Sequence, residues 1–230
     1  MRDFFNIDGP FFTVINRLGD LILLNILWLL CCIPIVTIGA STTALYFEAM
    51  KLAENNEGYI ARNFFRSFKQ NFLQSTVIWI VLAISGFGIG YYLYNMLFHS
   101  ESMGASSQLI AFSIVLMLCI IYAMIFVYVF PLQSKFVNKI KYTVKNALIL
   151  GIRHLPMTAI IIASYAIAIF CFAKFSFLLP VFLLIGVAAI AYGQSFIFNK
   201  IFYIYINKDK TEEELEKMNN PDAWTIPEDE

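Results

Sequence analysis

Five long runs of apolar residues dominate the pattern of the chain, and none of them contains Asp, Glu, Lys, Arg or His. Each has roughly the 17–25 residues that a helix needs to cross a hydrocarbon layer of about 30 Å. Apolar residues are continuous in these runs and do not alternate, which excludes β-barrel strands. The pattern predicts an all-α, polytopic membrane protein with five transmembrane helices, at Leu21–Ile38, Phe72–Leu97, Leu109–Phe130, Leu155–Ala173 and Phe175–Phe198.

Two polar connections between these runs have an amphipathic pattern, at residues 59–71 and 133–153. Apolar residues recur there every three or four positions, and cations occupy the opposite side. This pattern predicts interfacial helices on the cytoplasmic membrane surface, with cations against anionic headgroups. Such helices either only anchor the topology or also dock a protein partner. The candidate lipid- or partner-binding residues are Arg62, Arg66, Lys69, Lys135, Lys139, Lys145 and Arg153.

Lys and Arg are distributed unevenly among the connections. Segments 39–71, 131–154 and 199–230 carry thirteen of them, and the other connections carry three. Because cytoplasmic loops are enriched in cations, we expect an external N-terminus and a cytoplasmic C-terminus. A membrane domain would then cover residues 1–198, followed by an acidic cytoplasmic tail. A cleaved signal peptide is the alternative for the first run, but the acidic residues before that run argue against it.

Composition narrows the function classes. Apolar residues make up 60% of the chain and charged residues 14%, which excludes an ordinary soluble domain. A net charge of zero provides no basic field for nucleic acid.

The residues that carry catalytic or metal chemistry are few. The four cysteines lack disulfide or zinc-ligand spacing, and no Gly-rich phosphate loop is present. His99 and Glu101, in a short polar loop, are more typical of solvated surface than of a site. We therefore expect no catalytic residue, metal or cofactor, and no enzyme.

The first run contains a predicted break. Pro34 frees a backbone carbonyl that the Thr37 hydroxyl can bind. Gly39 lets the helix end, and a new helix would follow at Ala44–Leu52. We expect this break to lie at the cytoplasmic interface.

Other residues have the character of helix-packing positions. Gly86 and Gly90 form a small-xxx-small pair, and Asn25 and Gln194 are candidate hydrogen-bond partners between helices. These motifs do not show whether they face the chain's own bundle or a second copy, so a homo-oligomer stays possible. In the tail, Trp224 lies among acidic residues and could anchor a protein contact.

The stretch from Trp28 to Tyr46, with its Cys-Ile-Pro and Thr-Ile-Gly-Ala-Ser-Thr-Thr elements, and the segment Phe64–Phe72 are the most distinctive parts of the chain. Over roughly residues 1–75 they resemble the YesL (DUF624) family of Gram-positive integral membrane proteins, whose members are often encoded beside carbohydrate ABC importers. The resemblance implies a location in the bacterial cell membrane and a role in oligosaccharide uptake, without assigning a catalytic residue.

Two functions remain open at this point. The first is a non-catalytic accessory subunit of an oligosaccharide ABC importer, with its basic helices and tail on the permease or ATPase. The alternative is a homo-oligomeric carrier or channel for a neutral solute such as a sugar. A membrane enzyme fits least, because no reactive constellation was found.

Overall fold

The computed structural model describes residues 10–56, 58–98, 105–175, 177 and 179–208, and all regular structure in these ranges is helical. Four helices are long and apolar enough to cross a membrane, and a bent helix pair provides a fifth crossing if it is one span. The predicted all-α, polytopic membrane fold is therefore confirmed.

The described helices differ in length and burial. In chain order they are α1 (Pro10–Cys32), a 3-10 turn (Ile35–Thr37), α2 (Ile38–Ala53), α3 (Ile60–Phe98), α4 (Ala105–Lys135), α5 (Ile140–Arg153), α6 (Leu155–Lys174), α7 (Leu179–Val181), a π-helical turn (Phe182–Gly186) and α8 (Val187–Lys208). The candidate spans lie in α1, α3, α4 and the stretch from α7 through α8, and the bent pair is α5 and α6, which meet at 101°.

The amphipathic helix predicted at residues 59–71 is not a separate interfacial helix. It forms the first turns of α3, which continues for 39 residues, or about 58 Å at 1.5 Å per residue. Neither Gly nor Pro interrupts the sequence between Ile60 and Phe72, so the helix passes from the polar segment into the span without a break. Phe64 is fully buried in the protein core, which means that part of the apolar stripe faces protein.

The amphipathic helix predicted at residues 133–153 is also corrected. Here α4 extends to Lys135, a non-helical connection follows, and α5 turns back along α4. The Thr143 hydroxyl donates a hydrogen bond to Gln133 Oε1 at 3.1 Å, and Gly151 lies against the Met124 side chain. Helix α5 thus buries one face on α4 and does not lie alone on the lipid surface.

The first predicted span is shifted toward the N-terminus. Helix α1 ends at Cys32, before Pro34, because proline disfavours helical backbone in the residue that precedes it. The Thr37 hydroxyl donates to the carbonyl oxygens of Cys31 and Pro34, both at 2.6 Å. Helix α2 restarts at Ile38, so the predicted helix end at residue 39 is wrong.

Helices α1 and α2 form an antiparallel hairpin. Near the break, Trp28 Nε1 donates a hydrogen bond to Thr42 Oγ1 at 3.3 Å. At the other end of the hairpin, Arg17 donates to Asn55 Oδ1 at 2.9 Å. The start of α1 therefore lies beside the end of α2.

Helix α3 is in turn antiparallel to α2. The start of α3 meets the end of α2 where Asn63 Nδ2 donates to Glu48 Oε1 at 3.3 Å. The start of α2 meets α3 further along, where Thr43 and Ser75 share a hydrogen bond of 2.8 Å. Because the chain reverses twice, α1 and α3 point in the same direction. The first two spans were expected to run in opposite directions, and the returning helix α2 is the reason that they do not.

The remaining long helices complete a bundle with a common end. Helix α4 is antiparallel to α3, since Tyr122 binds the Leu82 carbonyl at 3.1 Å and Lys135 reaches Glu54. Helix α8 is antiparallel to α1 and brings Asn199 to the Met50 carbonyl at 2.9 Å. The starts of α1 and α3 and the ends of α2, α4 and α8 thus lie together, and we name this the basic end.

The fourth and fifth predicted spans were expected as a tight hairpin around Lys174. Helix α6 (Leu155–Lys174) matches the fourth closely, whereas the fifth begins four residues later and contains the π-helical turn. Helix α8 also extends to Lys208, so the start of the predicted tail is helical. Exposed apolar side chains cover the outer faces of α1, α3, α4 and α6, as expected of surfaces in contact with lipid.

Candidate functional site

The basic end carries a cavity of about 510 Å³ between α2 and the start of α3. Arg62 and Arg66 lie exposed on one face of α3, and Lys51 approaches from α2. The spacing of four residues places the two arginines one turn apart on the same side. Three cations around one cavity form a site suited to an anionic group such as a phosphate or a carboxylate. The lining is Lys51, Gly58, Tyr59, Arg62, Asn63 and Arg66.

A second cavity of about 510 Å³ lies further along α3, against the end of α4. It is lined by Lys69 and Lys135 together with several amide side chains. Gln133 Nε2 donates to Gln74 Oε1 at 2.6 Å, which fixes the wall between the helices. Lys135 pairs with Glu54 at 3.0 Å, so Lys69 is the cation that this cavity presents to a partner.

The predicted cations of α5 occupy two different settings. Lys139 and Lys145 are exposed and extend the positive surface of the basic end. Arg153 instead stacks over the Tyr205 ring at 5.5 Å, and the neighbouring His154 Nε2 is 3.2 Å from the Tyr205 hydroxyl. Arg153 therefore joins α5 to α8, a role in packing that its position in the sequence did not distinguish from the others.

Glu48 is a buried acid that the sequence analysis missed. Its side chain is 1% exposed, and Oε2 has no hydrogen-bond partner among the described residues. Burial raises the pKa of this carboxyl, while the Asn63 hydrogen bond and Lys51 oppose the shift. Because Asn63 and Lys51 also line the first cavity, Glu48 lies directly behind it. Its position inside the apolar segment 44–52 is the signal that could have found it.

The predicted packing residues have distinct surroundings. A Cβ at Gly39 would collide with the Ser75 carbonyl oxygen on α3, and a Cβ at Gly86 would lie 2.6 Å from the Tyr122 hydroxyl oxygen on α4. At Gly90 the space is open, so the structure does not bring the two glycines of the small-xxx-small pair to one contact. Pro34 lies between α1 and the 3-10 turn.

Asn25 and Gln194 both bridge helices. Asn25 Nδ2 donates to the Leu183 carbonyl at 2.6 Å, and its Oδ1 accepts from the Ala188 N–H at 2.9 Å. Leu183 belongs to the π-helical turn and Ala188 follows it, and Asn25 satisfies both backbone groups. Gln194 links α8 to α2 and α6 through Tyr46 and Ser164, at 2.6 and 2.8 Å.

An apolar cavity of about 390 Å³ lies between the helices of the bundle, and the sequence analysis also missed it. We name it the aromatic cavity. Its walls come from α1 to α4, α6 and the last helical stretch, and its residues are Trp28, Ile38, Thr42, Leu45, Tyr46, Trp79, Phe126, Phe130, Tyr165, Ala168, Ile169, Phe182, Val187, Ile190 and Ala191. These side chains are up to 163 positions apart in the chain, and apolar periodicity does not show which of them share an interior space.

Three predicted features fall outside the described residues, namely His99, Glu101 and Trp224. Within the described ranges, no three His, Cys, Asp or Glu side chains lie close enough to hold a metal ion. The described geometry consists of a cationic surface, a buried acid behind it and an apolar cavity deeper in the bundle.

A comparison with protein families identifies the N-terminal part of this arrangement. A family described as "Protein of unknown function, DUF624" matches residues 21–93. Residues 21–93 of the chain are similar to the DUF624 family. This DUF624 segment includes the second half of α1, all of α2 and most of α3, and hence Glu48 and the arginines of the first cavity. No curated protein and no solved structure matches the chain.

Proposed function

We propose that this protein is a non-catalytic accessory membrane subunit that works beside a carbohydrate ABC importer in the bacterial cell membrane. It would contact the permease or the ATPase through the cationic surface of the basic end. The YesL resemblance is the reason for naming an importer as the partner. The geometry of the basic end is the reason for naming the cationic surface as the contact.

The observation that carries the proposal is the concentration of exposed cations on α3 and α5, which both pack against α4. Arg62, Arg66 and Lys69 follow one face of α3, and Lys139 and Lys145 extend the positive surface on α5. An exposed positive surface of this size suits an acidic protein surface or anionic headgroups, and electrostatic complementarity favours fast and specific association.

Affinity purification from native membranes tests the proposal. Full-length protein with a C-terminal tag should retain permease and ATPase subunits after mild solubilisation. The triple variant Arg62→Glu, Arg66→Glu, Lys69→Glu should lose most of that retention, because it reverses the contact charge. Lys174→Glu is the control, since it also reverses an exposed cation but lies at the last residue of α6, away from the basic end. Equal retention by all three proteins would contradict the proposal.

The same purification separates the proposal from the carrier alternative. A pure homo-oligomer that moves a sugar across liposomes would favour the carrier. The aromatic cavity argues against a sugar pathway, because hydroxyl-rich solutes need many polar partners and apolar and aromatic residues make up most of its lining.

We also propose that both termini lie in the cytoplasm, which revises the expectation of an external N-terminus. The parallel directions of α1 and α3 place the start of α1 at the basic end. Fifteen of the sixteen Lys and Arg residues then belong to segments on one side, and only Lys174 lies opposite. This distribution satisfies the positive-inside rule better than an external N-terminus does.

Epitope tags on the full-length chain test this orientation. A tag before Met1 should bind antibody only after the cells are permeabilised, as should a tag after Glu230. A tag inserted at residue 102, in the predicted outer loop, should bind antibody on intact cells. Binding of the N-terminal tag on intact cells would overturn the proposed orientation.

A further inference from the structure

The aromatic cavity has a size typical of ligand sites, which range from about 300 to 1,000 Å³. Trp28 and Trp79 form part of its wall, and apolar side chains complete most of the rest. A lining of this composition favours an apolar ligand, because polar groups of a ligand would lose their hydrogen bonds to water without replacement.

The rim of the aromatic cavity faces the lipid-exposed surface of the bundle. Ile169, a lining residue on α6, is 69% exposed, and Ile35, three residues from the lining residue Ile38, is 74% exposed. Both lie on apolar outer surfaces that the membrane assignment places against lipid. A ligand that enters from the bilayer would therefore meet apolar surface at the rim.

One wall of the cavity carries a directed chain of hydrogen bonds. The Tyr46 hydroxyl donates its proton to Gln194 Oε1 at 2.6 Å. Since that proton is used, the Tyr165 hydroxyl must be the donor in the 2.5 Å bond between the two tyrosines. Gln194 also hydrogen-bonds the Tyr165 hydroxyl. Because a hydroxyl oxygen has two lone pairs, one acceptor position remains on Tyr165 at the cavity wall. A ligand group suited to this position must donate a hydrogen bond, as an alcohol does and an ionised carboxylate does not.

A π-helical turn borders the same cavity. Phe182 begins the turn and lines the cavity, and a Cβ at Gly186 would collide with the Phe182 ring. Turns of this kind are rare and occur frequently at functional sites. Asn25 stabilises the turn from α1, so the cavity wall has a dedicated support.

We propose that the aromatic cavity binds a neutral lipid from the bilayer. This lipid has an apolar chain that carries a hydroxyl group. The chain occupies the space between Trp28, Trp79 and Phe126, and the hydroxyl donates to the Tyr165 oxygen. This site is separate from the cationic surface and does not depend on an importer partner.

Photolabelling of the full-length protein in lipid nanodiscs tests the proposal, with hexadecanol that carries a diazirine in its chain as the probe. Label should concentrate on peptides that contain Tyr165 to Ile169 and Phe182 to Ala191, and unlabelled hexadecanol should compete with it. Palmitate should compete about fivefold less well, because it lacks the donated proton.

Two pairs of variants complete the test. Ala168→Phe fills the cavity and should reduce the labelling about tenfold, whereas Ala166→Phe, at an exposed position on the same helix, should not change it. Tyr165→Phe should keep the labelling but remove the preference for the alcohol over palmitate, and Tyr203→Phe, an exposed control, should keep that preference.

Three results would overturn the proposal. These are label spread evenly over the lipid-facing helices, labelling that Ala168→Phe does not reduce, and an alcohol preference that survives in Tyr165→Phe. If Ala168→Phe does not fold, the comparison of Tyr165→Phe with Tyr203→Phe still tests the proposal, because each of these substitutions removes only one oxygen atom.

Discussion

The seam between α2 and α3 and the space beside α6 are built in opposite ways. At the seam, Gly39, Thr43 and Ser75 bring two backbones together with no room for a methyl group. Beside α6, large side chains such as Trp79 and Tyr165 surround the aromatic cavity. Small residues thus close one helix pair in this protein, while large residues hold other helices apart.

This difference shows what each region is suited for. A close seam depends on van der Waals contact between backbones and on hydrogen bonds between helices, so it tolerates little change. A cavity with a preformed hydrogen-bond chain leaves room for a ligand. The DUF624 segment contains the whole seam but only part of the cavity wall, which continues in α4, α6 and the last helices.

The largest expected effect is at the seam. Gly39→Ala should destabilise the protein by about 3 kcal/mol, because the new Cβ meets backbone that cannot move aside as a side chain does. In detergent this corresponds to a fall in Tm of roughly 10 °C for a chain of this size. Gly88→Ala is the control: the space there is open, and the substitution should be neutral or slightly stabilising. Equal Tm values for the two variants would mean that the seam is not closely packed.

A smaller effect is expected where Asn25 supports the cavity wall. Asn25→Leu leaves the Leu183 carbonyl and the Ala188 N–H without their partner and should cost about 2 kcal/mol. The loss should appear as a lower Tm in detergent. In Asn95→Leu, by contrast, only a bond to the Tyr91 carbonyl of the same helix is removed, so little change is expected. An unchanged Tm in Asn25→Leu would show that the π-helical turn does not need the hydrogen bonds from Asn25.

The smallest effect concerns Glu48, whose raised pKa makes stability depend on pH. The folded state holds this proton more tightly than the unfolded state, so stability falls as pH rises above the ordinary value of 4.5. Glu48→Gln cannot titrate and should therefore be more stable than the parent at about pH 8, the upper end of the usual stability maximum, with the difference vanishing in acid. Thermal unfolding across this range measures it.

Glu54→Gln is the control for this titration. Glu54 is also an acid at the basic end, but it is 42% exposed and pairs with Lys135. This variant should keep the pH slope of the parent, because Glu48 is still present. A slope that persists in Glu48→Gln would assign the pH dependence to another group.

The sequence predicted the parts of this protein that depend on local pattern. The apolar run at residues 109–130 lies within α4, and Arg62, Arg66 and Lys69 share an exposed face as their spacing indicates. The family resemblance at the first helices likewise agrees with the match to residues 21–93.

The features that the sequence did not predict depend on contacts between distant residues. Tyr46 and Tyr165 meet across 119 positions, and Asn25 reaches Ala188 across 163. The direction of α2 depends on which helix its small residues pack against, and periodicity within one segment holds no such information. The predicted interfacial helices were misjudged for the same reason, since an amphipathic face packs on protein as well as on lipid.

Cross-linking of Arg17→Cys to Asn55→Cys by a short bifunctional thiol reagent most directly tests the returning path of α2, and with it the common direction of α1 and α3. The four native cysteines are replaced in the full-length chain. Because the long Arg17 side chain reaches Asn55 in the structure, the reagent should link residues 17 and 55 within one chain in native membranes. The pair Arg17→Cys and Ile35→Cys should stay unlinked, because Ile35 lies in the 3-10 turn beyond the other end of α1. A 17–35 link, or no 17–55 link in folded protein, would contradict the account.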